Sequence, residues 1–242
     1  PSIGYHMLVA NRFSSLMEKV KPLGLQLPDE MVKLTEGMFE YVMYSTLPDG
    51  TLPVWGDANH PMTPDILERG ARLFSRPDFE YVHYHGQRGQ PPTETSRAFA
   101  QSGYYYMRTG WQPDAHYMAI RCGPYGSHGH RDSLSLVLAA NGRTLLIDPG
   151  VSTYGTPESR ELSSTAAHST VTVDAQDAES GEADTWVSQP GSDYFSGHNR
   201  GYRNVEGARQ QRRVWFLKPL GDHPALWAIF DDITGAGEHD LA

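Results

Sequence analysis

Eleven histidines stand in this 242-residue sequence, and their placement says more than their number. The densest stretch is Gly126-Ser127-His128-Gly129-His130-Arg131-Asp132. If it enters a strand, His128 and His130 face one side and can chelate one metal. Further on, Leu145-Leu146-Ile147-Asp148-Pro149-Gly150 presents a carboxylate where a buried strand should end. Then Ala166-Ala167-His168-Ser169-Thr170-Val171 sets another imidazole at an expected strand start. Two or three imidazoles and one carboxylate on neighbouring strands make a zinc set. Singly, each motif has a plainer reading: a surface His-x-His, an Asp-Pro-Gly turn, a core histidine. The case rests on all three occurring in one region.

These residues need elements to hold them. Tyr5, Leu8, Val9, Phe13, Leu16, Met17 and Val20 recur at three- and four-residue intervals, the period of a helix with one buried face. Pro28-Asp29-Glu30 opens a second helix whose stripe is Met31, Leu34, Met38, Phe39 and Val42. Thr63-Pro64-Asp65 opens a third, with Thr63 as cap, running to about Phe74. After Pro91-Pro92 the period shortens. Strands are expected over 103–108, 116–121, 134–139, 144–147, 169–173, 213–217 and 226–230. Turns such as Asn141-Gly142 separate them. Helices followed by antiparallel strands make an α+β chain, not an alternating α/β one.

Composition narrows the class. Lys plus Arg number 20 and Asp plus Glu 29, a net charge of −9 spread over both halves. No basic half is available for nucleic acid. With 24 Gly, 17 Pro and 11% aromatics, the chain reads as globular and loop-rich rather than disordered. No apolar run reaches the roughly 18 residues needed to cross a bilayer. The single cysteine, Cys122, excludes an intrachain disulfide and a Cys-rich zinc module. Both ends read as cut, so the sequence is expected to be an internal piece of a longer protein.

The segments 128–135, 140–150 and 164–171, in this order and spacing, resemble the heparinase II/III-like polysaccharide lyases. Ser2-Ile3-Gly4-Tyr5-His6 and Pro53-Val54-Trp55-Gly56-Asp57 resemble two further segments of that family, the second its Gly-Asp turn. The resemblance implies the C-terminal part of an (α/α) toroid over residues 1–95. An antiparallel β-sandwich-type domain would follow over 96–242, with the active cleft between the two. It implies Tyr5 as catalytic acid, and as base too in some versions of the mechanism. His128 becomes base or charge neutraliser, and one structural zinc per chain sits on His130, Asp148 and His168. That splits the His-x-His pair, against the ideal-strand expectation. Ser169 departs from the Asn usual at its position in the family. The family's upstream Asn or His, which neutralises the substrate carboxylate, would lie before residue 1. A periplasmic or secreted location is implied as well.

Such lyases cleave acidic, uronate-containing polysaccharides by β-elimination, which needs a base at C5 and an acid at the leaving oxygen. Histidine suits the first role and tyrosine the second. Tyr154 and Arg160, between Asp148 and His168, are candidate substrate contacts, as is His198. The stretch from His198 to Arg213 carries Arg200, Arg203, Arg209, Arg212 and Arg213 against Glu206. It reads either as a polyanion-binding wall or as the solvated face of two edge strands. Three other functions compete: a metal-dependent hydrolase, an inverting glycosidase using carboxylates such as Asp57 and Glu94, and a non-catalytic carbohydrate-binding relative.

Overall fold

The computed structural model describes residues 2–60 and 62–242. Helix α1 spans Ile3–Val20 and α2 spans Asp29–Ser45, the latter with Asp29 and Glu30 at its positive end. Helix α3 spans Ile66–Phe74 and begins after Asp65; the expected Thr63 cap does not form. Helix α4, Pro77–His83, was not expected, although Pro77 in its first turn is a start signal. The α1 stripe differs from expectation. Ile3, Ala10 and Ser14 are buried, whereas Leu8, Val9, Phe13 and Leu16 are exposed. Periodicity located the helix but not its buried side, because apolar residues lie on more than one face. Arg69 of α3 reaches Asn11, Ser14 and Ser15 and so ties α3 to the buried side.

Among the described residues, nine strands form two antiparallel sheets. The first holds β1 Arg97–Phe99, β2 Tyr104–Arg108, β3 Tyr117–Arg121, β4 Ser135–Ala140 and β5 Arg143–Leu146, in sequence order. The second holds β6 Gly181–Gln189, β7 Ser192–Asn199, β8 Arg209–Leu217 and β9 Leu226–Thr234. No strand forms over 169–173; Val173 makes only isolated bridges. Strands β1, β6 and β7 were missed because they lack apolar runs, though Pro190-Gly191 marks the β6–β7 hairpin. The Asn141-Gly142 turn is as expected, with both residues at positive φ.

Every residue of β2 and β3 is buried because both faces of the first sheet are covered. One face packs Tyr104, Tyr106, Tyr117 and Val137 against Phe39, Tyr41, Tyr44 and Trp55 of the helical part. The other packs Tyr105, Met107, Met118 and Ile120 against Phe195, Val214 and Phe216 of the second sheet. Helices, sheet and sheet therefore form three layers. Buried phenols need partners, and they take them from the end of α2. Tyr106 Oη meets Ser45 Oγ at 2.6 Å, Tyr117 Oη donates to the Ser45 carbonyl at 3.0 Å, and Arg108 donates to the Thr46 carbonyl at 2.6 Å. Strand β5 is an exposed edge, not the buried strand expected before Asp148.

Candidate active site and metal centre

The seam between the helical part and the first sheet is built on the turn Trp55-Gly56-Asp57-Ala58. The Ile3 amide donates to the Trp55 carbonyl at 3.2 Å and anchors the start of α1 there. The Asp57 amide donates to the His128 carbonyl at 3.1 Å, and Val151 N–H donates to the Ala58 carbonyl at 2.9 Å. One turn thus holds α1, the loop around 128 and the loop around 150. Gly56 has φ +60°, and a Cβ there would stand 2.3 Å from the His128 carbonyl oxygen. The close approach needs glycine.

Four side chains converge on this seam. The Tyr5 and His128 rings stack with centroids 3.9 Å apart. Tyr5 Oη lies 3.4 Å from Tyr154 Oη, which donates to Asp57 Oδ2 at 3.1 Å. His128 Nδ1 faces the same Oδ2 at 2.8 Å. A carboxylate there holds the imidazole proton on Nδ1 and leaves Nε2 as the acceptor. The Tyr154 hydroxyl is pushed up in pKa by the neighbouring Tyr5 hydroxyl, then by burial and Asp57, so it keeps its proton and acts as a donor. Tyr5, Asp57 and Tyr154 line an open cleft of about 520 Å³, with Asn59 and His60 further along it.

Beneath the cleft lies the second group. His130 Nδ1 is 3.3 Å from His168 Nε2, and that nitrogen is 3.6 Å from Asp148 Oδ2. Ligands about 2.0–2.2 Å from a tetrahedral zinc are about 3.3–3.6 Å apart, which these two separations match, and all three ligand atoms lie within 4.8 Å of one another. His168 Nδ1 donates to the Ser164 carbonyl at 2.7 Å, which leaves Nε2 free to ligate. Asp148 Oδ2 is buried without a hydrogen-bond partner, while Oδ1 accepts from the Gly150 amide at 3.0 Å. Burial, helped by the charge of Asp132, pushes the Asp148 carboxyl well above its usual range. A divalent cation is the charge that would keep it ionised. Burial pushes both imidazoles down in pKa, toward the neutral form that ligates.

The His-x-His pair does not chelate together. Residues 127–128 form a turn followed by irregular backbone at 129–130, with His128 at φ +62° rather than extended, so the two rings separate. His128 faces Tyr5 and Asp57, and His130 faces the buried set. The Arg131 amide donates to the Ser163 carbonyl, and Thr165 Oγ1 donates to the Arg131 carbonyl. Those bonds bring the 163–168 segment under the turn. The Ser169 carbonyl accepts from Arg212 at 2.8 Å.

Arg160 and His198 are not among the residues that line this cleft. Arg160 is exposed on helix α5, Pro157–Leu162, which Thr156 caps. His198 sits on β7, where Nδ1 meets Asp184 Oδ1 at 2.8 Å. The arginine wall is largely spent in ion pairs. Arg212 is buried on Asp231 at 2.7 Å, Arg213 pairs with Asp232, and Arg200 pairs with Glu182. Nor is it an edge, because β7 and β8 are the inner strands of their sheet. Glu94 pairs with Arg97 at 3.0 Å instead of facing Asp57, which removes the expected glycosidase pair. Asp57 was read as part of a turn and as a glycosidase carboxylate, not as the partner of His128 and Tyr154, because its neighbours in space are remote in sequence. The buried Arg121–Asp132 pair, 3.8 Å apart beside Asp148, was also missed.

Residues 91–242 match the model of the heparinase II/III-like C-terminal family. The chain belongs to this family. A heparin-sulfate lyase of Bacteroides stercoris is 26% identical over 96% of this heparinase II/III-like chain, and one of Pedobacter heparinus is 27% identical over 88%. The chain spans 36% and 34% of the length of those relatives. The crystal structure of a heparan sulfate lyase mutant from Pedobacter heparinus superposes with a TM-score of 0.88. It covers 99% of this chain and 39% of its own, at 24% identity. A heparinase III structure gives a TM-score of 0.85 at 21% identity, with 98% and 38% covered. These likenesses bear on the fold: helices followed by two antiparallel sheets. No helix among the described residues is long and apolar enough to cross a membrane.

Proposed function

We propose that the protein containing this heparinase II/III-like chain is a polysaccharide lyase acting on a uronic-acid polymer, in the periplasm or outside the cell. The supporting observation is the meeting of Tyr5, His128, Asp57 and Tyr154 at one seam, with Tyr5, Asp57 and Tyr154 lining an open cleft and His128 in contact with the first two. In the elimination, C5 loses a proton, the C4–O bond breaks, a C4–C5 double bond forms and the leaving oxygen gains a proton. His128, with its Nδ1 proton on Asp57, offers Nε2 as base; Tyr5 offers its hydroxyl proton to the leaving oxygen. Tyr154 donates to Asp57 and leaves the Tyr5 proton available to substrate. The names of the relatives make heparan-type glycosaminoglycans the first substrates to test. His130, Asp148 and His168 would hold zinc, whose contribution is structural: it fixes the loops under the cleft. A metal-dependent hydrolase would need a metal position open to water. The Asp148 and His168 side chains are instead 0% exposed and that of His130 is 1% exposed.

The test uses the full-length protein on a panel of uronate polymers, followed by ultraviolet absorbance of the unsaturated product. His128→Ala is expected to keep its zinc and its Tm while turnover falls about 10²–10⁴-fold. Zinc loss in His128→Ala equal to that in His130→Ala would mean that the two chelate together.

A further inference from the structure

We propose that Asp57 is a positioning residue that ties the reacting groups to the metal centre, an inference that rests on the lyase reading above. Its Oδ2 is shared by His128 Nδ1 at 2.8 Å and the Tyr154 hydroxyl at 3.1 Å. Its Oδ1 lies 3.3 Å from His130 Nε2, near enough to take that nitrogen's proton though the two are not aligned as a hydrogen bond, and the ring presents its other nitrogen to His168. One carboxylate therefore touches both sides of the seam. Toward the cleft, it sets the plane of the His128 ring, against which Tyr5 stacks, and the direction of the Tyr154 hydroxyl. Toward the metal centre, it supports a buried imidazole from behind, the arrangement that orients a metal-ligating histidine and fixes its tautomer.

The backbone around Asp57 is built to hold this position. Its own amide is bonded to the His128 carbonyl, and the following Ala58 carbonyl accepts from Val151. Gly56 and Gly150, at φ +60° and +61°, each come so close to another segment that a Cβ would stand 2.3 Å from a carbonyl oxygen. The carboxylate is thus carried on a turn clamped to both loops it serves. Its side chain is 15% exposed, so it is neither fully buried nor free to swing. Asp57 takes no proton from substrate in this scheme and acts through His128, Tyr154 and His130.

The experiment compares full-length wild type, Asp57→Asn, Tyr154→Phe and the double variant. It measures kcat and KM on a polymer the wild type cleaves, and zinc affinity by competition with a chromogenic chelator. Asp57→Asn is expected to lower kcat about 10–100-fold with KM within about twofold, and to weaken zinc binding about 10–100-fold. Tyr154→Phe is expected to lower kcat and leave zinc binding unchanged. If the two act through their contact, the double variant is no slower than Asp57→Asn alone. Wild-type kcat and zinc affinity in Asp57→Asn would overturn the proposal, as would fully multiplicative losses in the double variant. Should Asp57→Asn not fold, Tyr154→Phe decides, since wild-type kcat there removes the contact from the mechanism. A wild type that releases no unsaturated product from any uronate polymer removes the lyase reading instead. The zinc titration then still decides whether Asp57 supports His130.

Discussion

Tyr5→Phe in the full-length protein is expected to lower kcat about 10²–10⁴-fold, the range for a lost general acid. The change removes one oxygen. The ring that stacks on His128 at 3.9 Å stays, and the 3.4 Å hydroxyl contact with Tyr154 is lost. Tyr5 is 41% exposed at the start of α1, so no core contact is at stake and Tm should hold within about a degree. KM should change little, because the hydroxyl meets its strongest partner only as the leaving oxygen gains charge. Steady-state kinetics on a confirmed uronate substrate, with a thermal melt alongside, checks both statements. A near-wild-type kcat would make Tyr5 a packing residue and move the acid role to Tyr154, whose hydroxyl is 3.4 Å away and holds its proton.

Removal of the metal is expected to cost stability before it costs anything else. Protein purified without chelator should carry one zinc per chain by elemental analysis, and His130→Ala should lose it. With zinc at a hundred times Kd, binding contributes about 2.7 kcal/mol. In a unit of 150–250 residues, that corresponds to a Tm drop of about 5–10 °C on chelation. The direction follows from the triad's surroundings. Asp148 is wholly buried with one oxygen unpartnered and Asp132 nearby, and the Nε2 lone pair of His168, whose Nδ1 donates to Ser164, lies 3.6 Å from that oxygen. Without a cation, these groups are left with repulsion or a costly proton on the carboxyl. Re-addition of zinc should restore Tm. Metal-free protein from a chelator-free preparation that melts no lower than the zinc-loaded form would end the metal assignment.

The two groups differ in how they respond, and that difference separates the roles inside His128-Gly129-His130. Chelation should lower Tm in wild type and in His128→Ala alike, because His128 contacts Asp57 and Tyr5 rather than the triad. In His130→Ala it should have no further effect. Sequence spacing alone pointed the other way: an extended backbone would put both imidazoles on one face. The left-handed conformation at His128, packed under the Asp57 turn, breaks that alternation.

Local chemistry made several features legible in the sequence. The starts of α1 and α2, the Asn141-Gly142 hairpin and strands β2, β3, β4 and β8 follow from turn residues, periodicity and apolar runs, which act over a few neighbours. The family resemblance carried by the three motifs singled out His130, Asp148 and His168, and the structure brings these three side chains together. Strands β6 and β7 escaped because their outward faces are polar and their pairing is specified by the partner strand, not by their own residues. The burial of α1 and the fate of the arginines depended on what packs beside them. So did the cleft. Tyr5 meets Tyr154 across 149 positions of chain, and Asp57 meets His128 across 71 and Tyr154 across 97. The sequence by itself determined which chemical groups the site contains. Which of them share a hydrogen bond, and which stand together as a candidate metal set, was decided by the tertiary structure, because both depend on ångströms and angles that only the packed seam sets.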